Sequence, residues 1–357
     1  MIEEFLKSEK EAIDQELAEY FTYLHDNEKE ILLKDFFAHI QNFILNKKAK
    51  RLHPILLIAA FVGIVNPIHV NSQLNQIRKV SLAVELLHSG YLIHDDLIDD
   101  DLERRNKPTF HVQLKQELNK VFDNNKLTNK EDIIRMYGRD MSILGGTQGY
   151  LLGLNVIKTS RFSDSLKLQA INEYTAAMDS LMKGQIIEEY MNYHNITMTL
   201  EQYLTIAEMQ RASLLEKSAK IGAILAKGNL HYQINPLSKA MNLMGQAFAI
   251  RDDIIDIKAD IKAKKKKIIY IFAVQNTDEE QSKLLNEIYH SEDLSKNDVN
   301  SVEKIFAETN AIIIAEHFSK NLVSQAKASL RNIYPDLNKN QKLFFNEFSD
   351  YMYMREF

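Results

Sequence analysis

Hydrophobic residues recur at helical spacing along nearly the whole chain. Near the start, apolar positions lie at separations close to multiples of a helical turn, which predicts an amphipathic helix containing Ile2, Phe5, Leu6, Ile13, Leu17 and Phe21. No segment shows the sustained alternation of apolar and polar residues that indicates a β-strand. The pattern therefore predicts an all-α fold with about ten or more helices.

Helix boundaries are indicated by prolines and by capping residues. All five prolines lie where helices are expected to begin or end: Pro54, Pro67, Pro108, Pro236 and Pro335. Two pairs, Thr199 with Gln202 and Thr277 with Glu280, have the spacing of a capping box. We expect a helix to begin after each of these threonines.

Two polar segments are predicted to be exposed loops. Residues 118–133 are rich in Asn, Asp and Lys, and residues 262–267 form a basic run. The chain contains no internal repeat and no linker rich in Pro, Gly or Ser. A single domain over residues 1–357 is therefore the simplest prediction.

Composition narrows the class of protein. Hydrophobic residues make up 45% of the 357 residues and charged residues 26%, which is typical of a globular protein. The absence of cysteine excludes disulfides, thiolate metal sites and a cysteine nucleophile, and it fits a reducing, cytoplasmic setting. A net charge of −5 gives no reason to expect a nucleic acid as a partner.

No segment has the features of a signal peptide or a membrane span. The first residues are acidic and lack a basic start followed by an apolar run. The longest apolar stretch, residues 55–65, is shorter than the ~20 residues that cross a bilayer. We expect that stretch to form a buried core helix.

Candidate chemistry is concentrated in two acidic segments, HDDLIDDDLERR (residues 94–105) and RDDIIDIKAD (residues 251–260). Each contains an Asp-Asp-x-x-Asp core, formed by Asp95, Asp96 and Asp99 in the first and by Asp252, Asp253 and Asp256 in the second. On a helix, the first and last aspartates of each core share a face, where like charges repel. A bound divalent cation would offset that repulsion.

Each acidic segment follows an apolar run, so its carboxylates are expected at the edge of a core. Oxygen ligands without His or Cys indicate Mg²⁺. A single Asp-x-x-x-Asp pair on a helix is usually a solvated face, but here two such clusters occur and Arg104 and Arg105 follow the first. Arginine binds phosphate oxygens bidentately. Together these residues predict a site for Mg²⁺ and a diphosphate.

The sequence resembles the trans-isoprenyl diphosphate synthases over residues 47–273. ELLHSGYLIHDDLIDDDLERRNKPTFH (residues 85–111) is similar to the family's first aspartate-rich motif, and GQAFAIRDDIID (residues 245–256) is similar to the second. The resemblance implies an all-α bundle around a central apolar cavity. It also implies a homodimer that condenses isopentenyl diphosphate with an allylic diphosphate in the presence of Mg²⁺.

The resemblance also assigns roles to individual residues. Asp95, Asp99 and Asp252 would hold three Mg²⁺ ions, with Asp96 and Asp256 in support and Asp253 completing the second motif. Arg104 would contact the allylic diphosphate, and Gln185 would lie near the reacting carbons. The diphosphate of isopentenyl diphosphate would be bound by Lys50, His88 and Arg105.

Several positions differ from the family pattern. The motif that usually reads Gly-Lys-x-x-Arg-Pro is here Ala49-Lys50-Arg51-Leu52-His53-Pro54, so the second cation is replaced by His53. The family's Lys-Thr pair is Gln210-Arg211, which leaves Arg211 as a candidate replacement for the lysine. Other differences are Glu188 for Asp, Ala249 for Gln, and a shortened basic loop in which Lys266 is a candidate lid residue or part of a solvated face.

Product length depends, in this family, on side chains just before the first motif. Tyr91 could form the floor of the substrate channel and favour a short product, whereas Gly90 could open the channel. The sequence leaves that choice open. It also leaves two alternative functions, a weakly active subunit of a two-component synthase and a class I terpene synthase. All six aspartates are present, which opposes the first, and the second acidic segment does not fit the cyclase motif, which opposes the second.

Overall fold

The computed structural model describes residues 2–122 and 129–354, and helices dominate this part of the chain. Its first helices are α1 (Ile2–Asn27), α2 (Ile31–Ile44), α3 (Leu52–Ile64), α4 (Pro67–Ile98), α5 (Phe110–Phe122), α6 (Lys130–Lys158), α7 (Asp164–Tyr193), α8 (Leu200–Ala207) and α9 (Ser213–Leu225). The later ones are α10 (Asn235–Ile255), α11 (Ile257–Lys262), α12 (Ile268–Val274), α13 (Glu279–His290), α14 (Lys296–Glu308), α15 (Ala311–Arg331) and α16 (Lys339–Met354).

Three short elements interrupt the α-helices. Two are π-helices, which we name π1 (Glu208–Ala212) and π2 (Leu230–Ile234). The third is an antiparallel hairpin of β1 (Glu103–Arg104) and β2 (Lys107–Pro108). The prediction of an all-α fold is confirmed, and the hairpin was missed because strands of two residues carry no alternating pattern.

The chain divides into two compact units. Unit 1 comprises Met1–Met178 and Ser218–Gly228, and unit 2 comprises Asp179–Lys217 and Asn229–Phe357. Two of the three boundaries fall inside α7 and α9, where the sequence has no proline, glycine-rich stretch or change of composition, and the third follows Gly228 between α9 and π2. A single domain over residues 1–357 therefore stays a prediction.

Unit 1 is built on α3 and α4. Nine of the thirteen α3 residues are buried, which confirms the core helix predicted over this apolar stretch. α4 begins with Asn66, whose side chain accepts a hydrogen bond from the Ile68 amide, and with Pro67 in its first turn. It then runs for 32 residues to the first aspartate cluster.

Unit 2 is built on α10, which carries the second aspartate cluster at its end. α10 packs against α15 in an apolar core that α12 and α14 also enter. Ser319 in α15 donates a hydrogen bond to the carbonyl oxygen of Ala247 at 3.0 Å, so a polar contact ties the two helices together within that core.

The predicted boundaries were partly right. Thr199 and Gln202 form the expected capping box. The second box is displaced by one residue, because Asp278 and Gln281 form it while the Thr277 hydroxyl donates to Val274. Among the prolines, Pro108 lies in β2 instead of at a helix end.

The first predicted loop was largely wrong. Its start belongs to α5 and its end to α6, and residues 123–128 lie outside the described residues. Polar side chains are typical of a loop, but the exposed faces of two helices carry them equally well. Within residues 2–122 and 129–354, no helix combines the length and the apolar character needed to cross a membrane.

Candidate active site

Both aspartate clusters occupy the last turn of a long helix. Asp99 is the C-terminal cap of α4, and Asp256 is the C-terminal cap of α10. A helix C-terminus carries negative partial charge, so carboxylates there are electrostatically unfavourable. The placement indicates that cations bind at both helix ends.

The middle aspartate of the first cluster is tied to Arg104. Asp96 is fully buried, and the Nε of Arg104 donates a short hydrogen bond to it. Arg104 also donates to Asp95 at 3.3 Å and lies 3.7 Å from Asp101. Arg104 therefore links three carboxylates of this segment.

The hairpin brings Arg104 back to α4. Arg105 and Asn106, at its tip, have positive φ angles of 54° and 59°, the conformation of a two-residue turn that reverses the chain. Asparagine tolerates this conformation better than most residues. Asn106 was thus the one local signal of the turn.

Burial changes the proton affinity of Asp96. Desolvation raises the pKa of Asp96 to about 7, although the charge and hydrogen bond of Arg104 act in the opposite direction. One carboxylate oxygen faces Arg104, and the other is buried without a hydrogen-bond partner among the described residues. Asp96 therefore serves chiefly as the buried anchor of the cluster.

The second cluster has the same design within unit 2. Asp253 is only 6% exposed and accepts a hydrogen bond of 2.6 Å from the Tyr203 hydroxyl. Lys267 lies 3.1 Å from Asp253 and 3.1 Å from Asp260. Although burial acts to lower it, these two carboxylates raise the pKa of Lys267. Again the middle aspartate faces inward onto a cation that follows it in the chain.

Basic and imidazole side chains gather in unit 1 around the start of α3. The rings of His53 and His88 lie 4.5 Å apart between centroids. Burial lowers the pKa of His53 to about 4, and the charge of Arg105 contributes in the same direction. His53 is therefore neutral at physiological pH, whereas the arginine usual at this position in the family would be charged. Lys50 directly precedes this segment.

An ion-pair group of three residues, none of which was a candidate site residue above, anchors these side chains. Arg51 is buried in a left-handed conformation (φ 56°) and forms ion pairs with Asp14, at 2.8 Å, and with Glu85. It also donates to the carbonyl oxygen of Ile44 at 2.7 Å. The pairs join α1 and α4 to the start of α3, at a position between Lys50 and His53.

Arg104 and Arg105 also line a small cavity beside the hairpin. A third cation, Lys107, contributes to the same wall, and the lining comprises Asn42, Phe43, Asn46, Arg104, Arg105, Lys107, Pro108 and Gln113. Burial lowers the pKa of Arg105. Three cations with amide donors form surroundings that suit phosphate oxygens.

Gln185 takes part in an amide network in unit 2. Gln210 donates to Gln185 at 3.2 Å and to Glu188 at 2.7 Å, and Gln185 donates to Glu189 at 3.3 Å. Gln210 lies in π1, and π-helices often mark functional sites. Two of the departures from the family pattern, Glu188 and Gln210, are thus hydrogen-bonded to each other.

Arg211 and Lys266 occupy different surroundings. The charge of Arg211 acts on the pKa values of Tyr203 and Lys267, so it lies near the second cluster. Lys266 donates to Asn195 at 3.0 Å and to Thr197 at 3.3 Å. The basic loop is confirmed over residues 263–267, while Lys262 belongs to α11. Lys264, Lys266 and Lys267 contact other parts of the protein.

Gly90 packs against α6 and does not open a channel on that side. A Cβ atom at position 90 would lie 2.6 Å from the carbonyl oxygen of Gly146 and 3.1 Å from the ring of Tyr150. Tyr91 is buried one turn before Asp95. Glycine at position 90 therefore serves the close packing of two helices, and the residue that determines product length stays a prediction.

The donor set fits Mg²⁺. Asp95 with Asp99, and Asp252 with Asp256, lie one helical turn apart at helix ends, and they offer oxygen ligands alone. Mg²⁺ uses one or two carboxylates and completes its octahedron with water and phosphate oxygens. One such pair is therefore a sufficient set of protein ligands.

Comparison with known proteins agrees with this geometry. The family model described as polyprenyl synthetase matches residues 34–308, which is most of the chain. The chain belongs to the polyprenyl synthetase family. Family membership confirms the resemblance drawn from the two aspartate-rich motifs.

Similar members of the polyprenyl synthetase family are prenyl diphosphate synthases. The short chain isoprenyl diphosphate synthase of Methanocaldococcus jannaschii is 27% identical over 313 residues, covering 84% of this chain and 82% of its own. The farnesyl diphosphate synthase of Geobacillus stearothermophilus is 28% identical over 265 residues, covering 72% of this chain and 76% of its own.

A solved structure shows the same fold. The geranylgeranyl pyrophosphate synthase of Corynebacterium glutamicum, in complex with isoprenyl diphosphate and magnesium, superposes with a TM-score of 0.86 at 20% identity. The match covers 98% of this chain and 99% of that one. Like other polyprenyl synthetases, this chain is a trans-prenyl diphosphate synthase, and the family is magnesium-dependent. The two alternative functions are not favoured.

Proposed function

We propose that this chain by itself catalyses the head-to-tail (1′-4) condensation of isopentenyl diphosphate with an allylic diphosphate, using three Mg²⁺ ions. The observation that carries the proposal is the location of two Asp-Asp-x-x-Asp clusters at the C-terminal ends of α4 and α10. Four carboxylates added to two helix ends require several positive charges.

The outer aspartates of each cluster are the proposed metal ligands. Asp95 and Asp99 would act at the end of α4, and Asp252 would act at the end of α10 with Asp256 in support. The middle residues, Asp96 and Asp253, would hold the two helix ends in place through their buried ion pairs. Bound Mg²⁺ would supply positive charge to the departing diphosphate.

Basic side chains of unit 1 would bind the two diphosphates. Arg104 would contact the allylic diphosphate, because its guanidinium already lies against Asp95. Lys50, His88 and Arg105 would bind isopentenyl diphosphate. Neutral His53 would donate one hydrogen bond in place of the charge-assisted pair that an arginine makes, so its contribution would be smaller.

Residues of unit 2 would act near the reacting carbons. Gln185 would present its amide there, held by Gln210. Arg211 would add positive charge beside the second cluster. Lys266, through its contacts with Asn195 and Thr197, would secure the basic loop more than it would cover the substrate.

The carbon–oxygen bond of the allylic substrate breaks when negative charge on the diphosphate is stabilised. Arg104 would contribute to that stabilisation. The double bond of isopentenyl diphosphate would then attack the allylic carbon, which leaves a new carbocation. That cation would lose a proton to the released diphosphate and so form the double bond of the product. Apolar side chains must exclude water from the cation.

The test is turnover by the purified chain alone. It should be incubated with Mg²⁺, isopentenyl diphosphate and, separately, dimethylallyl, geranyl and farnesyl diphosphates, with mass spectrometry as the readout. We expect products that lengthen by single isoprene units and disappear in Asp95→Ala and Asp252→Ala. A folded chain that gives no product with any primer would refute activity of the chain alone.

Assembly and location are further parts of the proposal. The family resemblance implies a homodimer, and light scattering after size-exclusion chromatography would measure its mass. A cysteine-free sequence fits a cytoplasmic setting. Fractionation of cells that express a tagged chain would test that location.

A further inference from the structure

The lysine-rich loop between α11 and α12, which belongs to unit 2, makes several polar contacts with other residues of that unit. Lys264 donates to the carbonyl oxygens of Ser291 and Glu292. Lys267, at the end of the loop, forms ion pairs with Asp253 and Asp260. These contacts hold the loop against neighbouring elements of unit 2, beside the second cluster.

Lys267 lies at the centre of a compact charged group. Its Nζ is 3.1 Å from an oxygen of Asp253 and 3.1 Å from an oxygen of Asp260. The other oxygen of Asp253 accepts the 2.6 Å hydrogen bond from Tyr203. Both carboxylates and the lysine are largely buried, so removal of one charge would leave the others poorly compensated.

Apolar side chains and one further lysine surround this group. Asp253, Asp260 and Lys267 line one small cavity together with Lys265 and with the apolar or aromatic residues Ile257, Ile261, Ile269, Tyr270, Tyr289 and Phe306. In such surroundings hydrogen bonds and ion pairs are stronger than in water. The direction of the Asp253 side chain is therefore strongly constrained.

That constraint acts on the proposed metal ligands. Asp253 directly follows Asp252 on the last turn of α10, and Asp260 lies in α11, which begins after Asp256. Lys267 contacts both Asp253 and Asp260, so it joins the last turn of α10 to α11. Asp252 and Asp256 share a face of that same turn.

We propose that Lys267 is a positioning residue, which orients Asp252 and Asp256 for metal binding through Asp253 and Asp260. The inference rests on the proposed function, in which those outer aspartates serve Mg²⁺ and a diphosphate. Lys267 does not contact the substrate in this proposal, since its charge is already shared between two carboxylates.

The test measures metal binding as well as turnover. Mn²⁺ would replace Mg²⁺ as a probe, and its binding in the presence of inorganic diphosphate would be followed by electron paramagnetic resonance. We expect Lys267→Met to weaken Mn²⁺ binding and to lower kcat by about 10- to 100-fold, as for other residues that orient metal ligands. The KM for isopentenyl diphosphate should change little.

A double variant separates positioning from substrate contact. In Lys267→Met with Asp260→Asn, one buried negative charge is removed along with the lysine, so we expect about tenfold of the lost Mn²⁺ affinity to return. Lys267→Arg should retain most of the affinity. If Lys267 instead contacted the substrate, the Asp260→Asn change would not restore Mn²⁺ binding in Lys267→Met.

Controls make each outcome decisive. Lys262→Met changes an exposed lysine at the end of α11, directly before the same loop, and this variant should bind Mn²⁺ like the unmodified chain. If Lys267→Met fails to fold, Tyr203→Phe removes one hydrogen bond from Asp253 without changing charge, and it should weaken Mn²⁺ binding more than Lys262→Met does. Unchanged Mn²⁺ binding in Lys267→Met or in Tyr203→Phe would overturn the inference. Unchanged binding in Asp252→Ala would overturn the proposed function, because the assay does not depend on turnover.

Discussion

The carbonyl oxygen of Gly146 lies 2.6 Å from the position that a Cβ atom on Gly90 would take. In the opposite direction, a Cβ on Gly149 would lie 2.9 Å from the Cα of Gly90. The backbones of α4 and α6 are thus in direct contact one turn before the first aspartate cluster. This contact supports the last part of α4 on the side that faces α6.

Replacing Gly90 with alanine should destabilise unit 1. The new methyl group would meet backbone atoms that cannot rotate away, and overpacking of this kind costs about 1–3 kcal/mol. Urea denaturation would measure the loss. Thr147→Ala, at an exposed position on α6, should stay within about 0.5 kcal/mol of the unmodified chain. Equal stability of the two variants would show that α6 can move aside.

Shortening Tyr91 should lengthen the product. Tyr91 is buried one turn before Asp95, so Tyr91→Ala removes a large ring near the proposed substrate channel. We expect mass spectrometry to show products longer by one isoprene unit or more, with total isopentenyl incorporation largely retained. The conservative variant Tyr91→Phe should keep the original product. An unchanged product from Tyr91→Ala would show that the ring is ordinary core.

Replacing Arg104 alone should lower the stability of the fold more than replacing both Arg104 and its partner Asp96. Arg104→Gln leaves the buried Asp96 carboxylate without its cation, and breaking one partner of such a pair costs about 3 kcal/mol or more. Adding Asp96→Asn should recover part of that loss. Thermal denaturation of both variants without metal gives the comparison. A double variant less stable than Arg104→Gln would contradict this account.

His53 should make stability depend on pH. The pKa of His53 is lowered to about 4 in the folded chain, so between roughly pH 4 and 6.5 the unfolded chain binds more protons. Stability contributed by neutral His53 is therefore present above pH 6.5 and is lost as pH falls towards 4. Urea denaturation at several pH values in this range should show that the free energy of unfolding depends less on pH in His53→Gln than in the unmodified chain. The same dependence on pH in both proteins would mean that other groups cause it.

An arginine at position 53 should improve binding of isopentenyl diphosphate. His53 is neutral near pH 7, whereas arginine would add a charge-assisted pair to the diphosphate. We expect the KM for isopentenyl diphosphate to fall by about tenfold and the KM for the allylic substrate to change little. His53→Gln, which stays neutral, is the matched control. A higher KM in His53→Arg would indicate repulsion from Arg51 and Arg105.

The local pattern was a good guide to local structure. Helical periodicity and the positions of Pro67 and Thr199 predicted elements that the structure contains. The two Asp-Asp-x-x-Asp cores could be recognised as a pair because each lies within six consecutive residues. Errors arose where two nearby residues competed, as when Asp278 capped α13 in place of Thr277.

The sequence by itself determined the helical fold, the aspartate clusters and the family, because these depend on residues that are close together in the chain. Only the tertiary structure decided which carboxylate of each cluster is buried and which cation faces it. Arg104 returns to Asp96 through a hairpin, and Lys267, beyond α11, contacts Asp253 in α10. Contacts between distant residues depend on packing and burial, and no local pattern records them.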